Sequence, residues 1–198
     1  LTVAREIGNR TIEGVALCSL GVTYYFFGDY QKAIDYQQQS LNIMQQIGDR
    51  ANESKVLDNL GLVYQALAEY KIAVDFYQQG LIISQEIANL SGIGEVSGNL
   101  GNTYYCMAKY QEAIECYQQS LIVARKVEKL PKIRSLLGGL GAAYDCLGKY
   151  KKAIAFYIES LSVARQLENR FQESITLTLI GRSCLQRFGK LSPSHFIF

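Results

Sequence analysis

The sequence predicts an all-α solenoid of antiparallel helix pairs, and three observations carry that prediction. First, the chain repeats itself. Leu20, Leu60, Leu100 and Leu140 fall 40 residues apart, each followed by Gly21, Gly61, Gly101 and Gly141. Tyr24/Tyr64/Tyr104/Tyr144, Tyr30/Tyr70/Tyr110/Tyr150, Ala33/Ala73/Ala113/Ala153 and Leu41/Leu81/Leu121/Leu161 keep the same register without insertion. A fixed period in the range of about 20–50 residues marks a stack of supersecondary units. Second, apolar residues within each period recur at three- and four-residue spacing, as on one face of a helix. Third, the chain is 48% hydrophobic and 19% charged, with 20 Lys+Arg against 18 Asp+Glu, which places it far from disordered compositions. So even a charge balance argues against a dedicated nucleic-acid or anionic-membrane binder. No run of about 18 apolar residues is present to span a membrane.

The elements follow in order. Leu1-Thr2-Val3-Ala4-Arg5 aligns with Leu121-Ile122-Val123-Ala124-Arg125 and Leu161-Ser162-Val163-Ala164-Arg165. Residues 1–10 therefore read as the end of a preceding repeat, and the chain, lacking an initiator Met, as a piece of a longer protein. Four full repeats are expected over 11–50, 51–90, 91–130 and 131–170, forming one array across residues 1–198. In the first repeat, Leu17, Leu20, Gly21 and Tyr24 make the stripe of a helix that stops at Gly28-Asp29, where Gly can adopt the left-handed conformation. A second stripe, Tyr30, Ala33, Ile34, Gln37, Leu41 and Met44, ends near Gly48-Asp49. Pro131 falls where the fourth repeat's first helix begins, a position that needs no N–H partner. The small Gly21 and Ala33 places are expected to let helices cross closely. A half repeat over 171–190 starts correctly at Ile180-Gly181, but Cys184 replaces the tyrosine and Phe188-Gly189-Lys190 slips by one residue. Residues 191–198 form an irregular tail.

This pattern resembles the tetratricopeptide repeat, through Leu60-Gly61-x-x-Tyr64, Glu69-Tyr70-x-x-Ala73-Val74 and Gly80-Leu81. The unit is longer than the usual one, like those of spindle-orientation adaptors and bacterial regulators. The motif's Trp is absent. The resemblance implies a right-handed superhelix whose first helices line a concave, protein-binding side, and no catalytic activity of its own.

The residues themselves offer little for catalysis. The only histidine, His195, lies in the irregular tail, so neither a Ser-His-Asp nor a Cys-His arrangement is expected. Gly92-Ile93-Gly94 and Gly138-Gly139-Leu140-Gly141 sit in helix patterns and follow no strand, so neither reads as a phosphate loop. Cys18, Cys106, Cys116, Cys146 and Cys184 form no C-x-x-C pair and match no zinc module. Cys106 and Cys146 share a place with Phe26 and Ala66 and read as half-buried packing residues in a reducing cytoplasm. No cofactor or metal is expected. The clusters Gln37-Gln38-Gln39, Gln78-Gln79 and Gln118-Gln119 read as a solvated convex face.

The candidate binding residues lie on the first helices, at the phase opposite the packing stripe: Tyr25, Lys55, Asp58, Asn59, Glu95, Asn99, Asn102, Tyr105 and Asp145. Asn59, Asn99 and Asn102 each carry donors and an acceptor, which suits the alternating N–H and C=O of an extended peptide. Gly98 and Gly138, at equivalent places, are expected to leave room for a ligand backbone or partner helix. A clamp for a terminal carboxylate, used by some tetratricopeptide domains, would need Lys and Asn where Cys18 and Val22 stand, and Lys and Arg at Glu95 and Asn99. Only Asn59 matches. The expected function is therefore a non-catalytic scaffold binding a protein or peptide, with no nucleic-acid or membrane partner and a cytoplasmic location. The alternative is self-association, end to end through uncovered half-repeats, or an intramolecular regulatory, signal-peptide-sensing role in a larger protein.

Overall fold

The computed structural model describes residues 1–2 and 6–189, and among the described residues from Arg10 onward nine helices are joined by short turns. They are α1 (Arg10–Phe26), α2 (Tyr30–Ile47), α3 (Arg50–Ala66), α4 (Tyr70–Glu86), α5 (Leu90–Cys106), α6 (Tyr110–Lys126), α7 (Leu130–Cys146), α8 (Tyr150–Gln166) and α9 (Arg170–Gly189). No strand occurs among the described residues. The fold class is the expected one, an all-α repeat of helix pairs. The Val3-Ala4-Arg5 segment and the tail with His195 lie outside the described residues.

The turns show that each 40-residue repeat is two equal halves. A left-handed residue recurs every twenty positions: Gly28, Gly48 and Gly148 at φ 69–78°, and Ala68, Ala88, Ala108, Glu128 and Glu168 at 52–60°. Sequence reading finds the glycines and misses the others, because Ala and Glu carry no left-handed preference. A side chain in this conformation is strained by about 1–2 kcal/mol, part of which glycine returns through its freer unfolded chain. Ala88→Gly is therefore expected to raise stability by about 0.5–1 kcal/mol, seen as a melting temperature a few degrees higher.

The helix starts are fixed by a second periodic signal. The side chains of Asn9, Asp49, Asn89 and Asn169 accept from the N–H groups of Ile12, Asn52, Gly92 and Gln172 at 3.0–3.1 Å, capping α1, α3, α5 and α9. At α7 the cap place is Lys129, and Pro131 stands in the first turn as expected.

Contacts divide the chain after Thr103 into two compact units. In the first, α1 packs on α2 and α3 on α4, with α2 against α3. Its core joins Cys18, Leu41, Met44, Val56, Leu57, Leu60 and Ile83. In the second, α6, α7, α8 and α9 pack in succession around Ile114, Tyr117, Leu137, Leu140 and Tyr157.

On α1, α3 and α7 the repeated glycine seats one side chain from the helix that follows. A Cβ added to Gly61 would come within 2.5 Å of the Tyr77 ring, and one added to Gly21 within 2.7 Å of the Gln37 amide. Gly141 stands in the same relation to Tyr157. Close helix approach at these glycines thus has a specific purpose. The half-buried Tyr24 and Tyr64 and the buried Tyr144 lie beside this seat and stack, nearly parallel, on Tyr36, Phe76 and Phe156 with centroids 5.3–5.4 Å apart.

Two polar arrangements confirm that repeats are fitted pair by pair. The buried hydroxyls of Ser40 and Ser160 donate to the carbonyls of Gly14 and Arg134, from second helix to first. In the second repeat the direction reverses: Gly80 stands at the serine place, and Ser54 donates to its carbonyl at 2.9 Å. Likewise Arg10–Glu13 and Arg50–Glu53 pair at 2.6 Å with the carboxylates buried, whereas Leu90/Ile93 and Leu130/Ile133 occupy the same places in the next repeats. A charged pair is exchanged for an apolar pair as a unit, as expected when either partner alone would leave a buried mismatch.

Two expectations are corrected. Gln37 does not belong to a solvated face; it is fully buried, while Gln38 and Gln39 beside it are exposed. Cys106 and Cys146 are not half-buried but exposed, since each ends its helix. Helix α9 runs past the place where the other first helices turn, because bulky Phe188 stands at the left-handed position and the glycine comes one residue late.

Burial of the tyrosines predicts alkaline sensitivity. Burial foremost, then the charge of Asp145, pushes the Tyr157 phenol up to about 12; burial raises Tyr77 and Tyr117 also. Unfolded tyrosines ionise near pH ~10. Between the two values the folded state holds more protons, so stability present below pH ~10 falls as pH rises through the folded value. Loss of helical circular dichroism is expected to coincide with the appearance of tyrosinate absorbance above pH ~10, rather than to follow it.

Candidate peptide-binding groove

The first unit contains a groove of about 470 Å³ between α3 and the start of α5. It exists because both are first helices, presenting the same phase one repeat apart. Five predicted residues converge there: Lys55, Asp58 and Asn59 from α3, and Glu95 and Asn99 from α5, with Leu62 as an apolar contact. Lys55 and Glu95 are exposed; Asp58, Asn59 and Asn99 are half-buried.

Sequence reasoning missed how the asparagines are held. Asn99 donates to the Asp58 carboxylate at 2.9 Å, and Asn59 donates to the Cys18 sulfur at 3.3 Å. Each bond spans 41 residues and ties one first helix to the previous one, so it fixes the amide's orientation. An asparagine has a second N–H and a carbonyl oxygen beyond that bond. Cys18 is buried, and burial raises its thiol pKa against the opposing pull of Lys55 and the bonds from Asn59 and Gln37. It is a packing thiol, kept protonated.

The other predicted residues lie elsewhere. Tyr25 lines a smaller cavity beside the groove. Asn102 is exposed on α5, one turn beyond Asn99. Tyr105 and Asp145 belong to the second unit. The Tyr105 hydroxyl lies 3.5 Å from the Cys146 sulfur. The Asp145 carboxylate is buried and accepts from Ser183 at 2.7 Å and Arg182 at 3.1 Å, anchoring α9. Gly138 has open space at its Cβ position, with only the Ser160 hydroxyl 4.0 Å away. Among the described residues, no group of three His, Cys, Asp or Glu side chains is placed to hold a metal ion, and no helix is long and apolar enough to cross a membrane.

Helix pairs with a glycine seat, a capped first helix and an open first-helix face define an interaction-type repeat protein. The chain belongs to the tetratricopeptide repeat family, whose model matches residues 1–46, 13–86 and 92–166. No curated protein sequence matches it. Among solved structures it is similar to BtubC (BKLC) from P. vanneervenii, with 18% identity and a TM-score of 0.84 over 94% of this chain and 80% of that one. It is also similar to aspartyl phosphate phosphatase F from Bacillus subtilis, with 16% identity and a TM-score of 0.81, covering 91% of this chain but 49% of that one. The nearly identical TPR-like repeats of a kinesin light chain from Podosopora anserina share 16% identity at a TM-score of 0.72, over 91% of this chain and 89% of that one. At these identities the likeness is one of fold.

Proposed function

We propose that this chain is a non-catalytic binding module that holds an extended peptide segment of a partner protein along α3 and α5. The observation that carries this reading is the convergence of Lys55, Asp58, Asn59, Glu95 and Asn99 on one groove. Its side chains are amides, an ammonium and carboxylates, groups that address peptide N–H and C=O. With one positive and two negative side chains, the lining favours a segment carrying a basic residue. The groove's volume falls within the range of about 300–1,000 Å³ usual for ligand sites. Peptides selected from a random display library on the intact chain should bind through this surface. An Asn59→Ala/Asn99→Ala double variant should then bind them more weakly, and unchanged affinity would remove the groove from the account.

A second reading, self-association, is favoured by the apolar side chains that α9 exposes, Phe171, Leu177 and Leu185. Sedimentation across a concentration series separates the two, since a strict monomer at high concentration excludes it.

A further inference from the structure

A second cavity, of about 200 Å³, adjoins the groove and shares Asn59 and Leu62 with it. Val22, Tyr25, Phe26, Val63 and Gln37 complete its walls. Gln37 is wholly buried. Its Nε2 donates to the Cys18 carbonyl at 3.1 Å, which fixes the amide's orientation, and its Oε1 has no hydrogen-bond partner. A buried acceptor without a donor is costly and rare, so it needs a reason.

The repeat supplies one. The place of Gln37 is held by Tyr77, Tyr117 and Tyr157 in the next three repeats. The Tyr77 ring lies on Gly61 of its own repeat's first helix and its hydroxyl reaches Gln65, the place that Tyr25 holds beside Gln37, while the Tyr117 ring reaches the first helix of the following repeat. The end of the Tyr117 ring lies 3.0 Å from where a Cβ on Gly139 would stand, and Asn59 occupies that same repeat place relative to Gln37. The Tyr77 hydroxyl ends in a donated bond to Gln65 Oε1 at 3.0 Å. Glutamine stops short of this space. The cavity beside it is therefore the room that the Tyr77 and Tyr117 rings take in their repeats, and Gln37, which lines it, carries an unused acceptor.

We propose that this cavity receives a tyrosine side chain of the bound partner segment, its ring among Val22, Leu62 and Val63 and its hydroxyl donating to Gln37 Oε1. Phe26, 80% exposed at the end of α1, covers the ring once it is seated. The proposal deepens the groove reading and rests on it for the identity of the partner as a peptide; the cavity's chemistry stands apart from that reading. Phenylalanine fills the space equally but leaves Oε1 without a donor, so tyrosine is selected over phenylalanine.

The test uses the intact chain with p-cresol and toluene as probes, followed by the methyl resonances of Val22, Leu62 and Val63. p-Cresol should shift these resonances saturably and bind about five- to tenfold tighter than toluene. Gln37→Leu should abolish that preference, and Gln37→Tyr, which installs the array's own ring, should abolish binding of both probes. Absence of shifts at these methyls, or a p-cresol preference retained in Gln37→Leu, overturns the proposal. If Gln37→Tyr fails to fold, the Gln37→Leu comparison still decides it. Asn99 lines the groove alone, so Asn99→Ala should leave p-cresol binding unchanged. Display-selected peptides should then lose affinity on a Tyr→Phe change in the peptide. p-Cresol binding without any peptide dependence on Asn99 would sink the groove reading but not the phenol site.

Discussion

Tyr77→Ala is expected to cost about 3–5 kcal/mol of folding free energy, the range for removing a fully buried aromatic side chain. The ring is completely enclosed, lies on Gly61 and sends its hydroxyl to Gln65. For a protein whose total stability is of order 5–15 kcal/mol, such a loss shifts the urea midpoint far enough to leave part of the population unfolded at rest. Stacked repeats touch only their neighbours, so the damage should be greatest in the helices around α3 and α4. Gly61→Ala provides the matching test from the other side. Its new methyl would stand 2.5 Å from the ring, an overpacking worth about 1–3 kcal/mol. In the double variant the methyl enters space that the ring has left, so the combined cost should fall below the sum. Additive costs would mean that the glycine and the ring are not a fitted pair.

Asn59→Ala/Asn99→Ala should reduce affinity for a selected peptide by roughly thirtyfold, counting about 1 kcal/mol for each lost hydrogen-bonding amide. The two asparagines stand 40 residues apart at equivalent places on α3 and α5, held in orientation by Cys18 and Asp58. Because the Cys18 sulfur is a weak acceptor and Asp58 is only half-buried, the variant should retain its helical content and most of its stability. Isothermal titration together with thermal unfolding separates the two effects. A large loss of stability with proportionate loss of affinity would make the asparagines structural ties only.

The fold was legible in the sequence because a solenoid writes its packing as a period. Gly28 and Gly48 mark left-handed turns and Pro131 a first helical turn, since each residue type has a backbone preference of its own. Ala68, Ala88, Ala108, Glu128 and Glu168 take the same left-handed conformation without any such preference, imposed by the helices on either side. The caps at Asn9, Asp49, Asn89 and Asn169 were present in the sequence as a further periodic series, and would have set the helix starts.

The groove was partly legible for the same reason. Helical phase brings Lys55, Asp58, Asn59, Glu95 and Asn99 to one face. It carries no information about what each side chain bonds to, so the buried carboxylate of Asp145, held by Ser183 and Arg182, reads like its half-buried counterparts Tyr25 and Tyr105. Gln37 shows the same limit. Its residue type speaks for solvent, its phase for the core, and the outcome depends on Gly21 having no side chain to obstruct it.

Backbone amide exchange with and without a display-selected peptide tests the central claim most directly. Binding along the groove predicts slowed exchange in α3 around Lys55–Leu62 and in α5 from its start through Asn99, with α2 and α4 little changed on their exposed glutamine side. Protection confined to that glutamine side, or to α9, would contradict it.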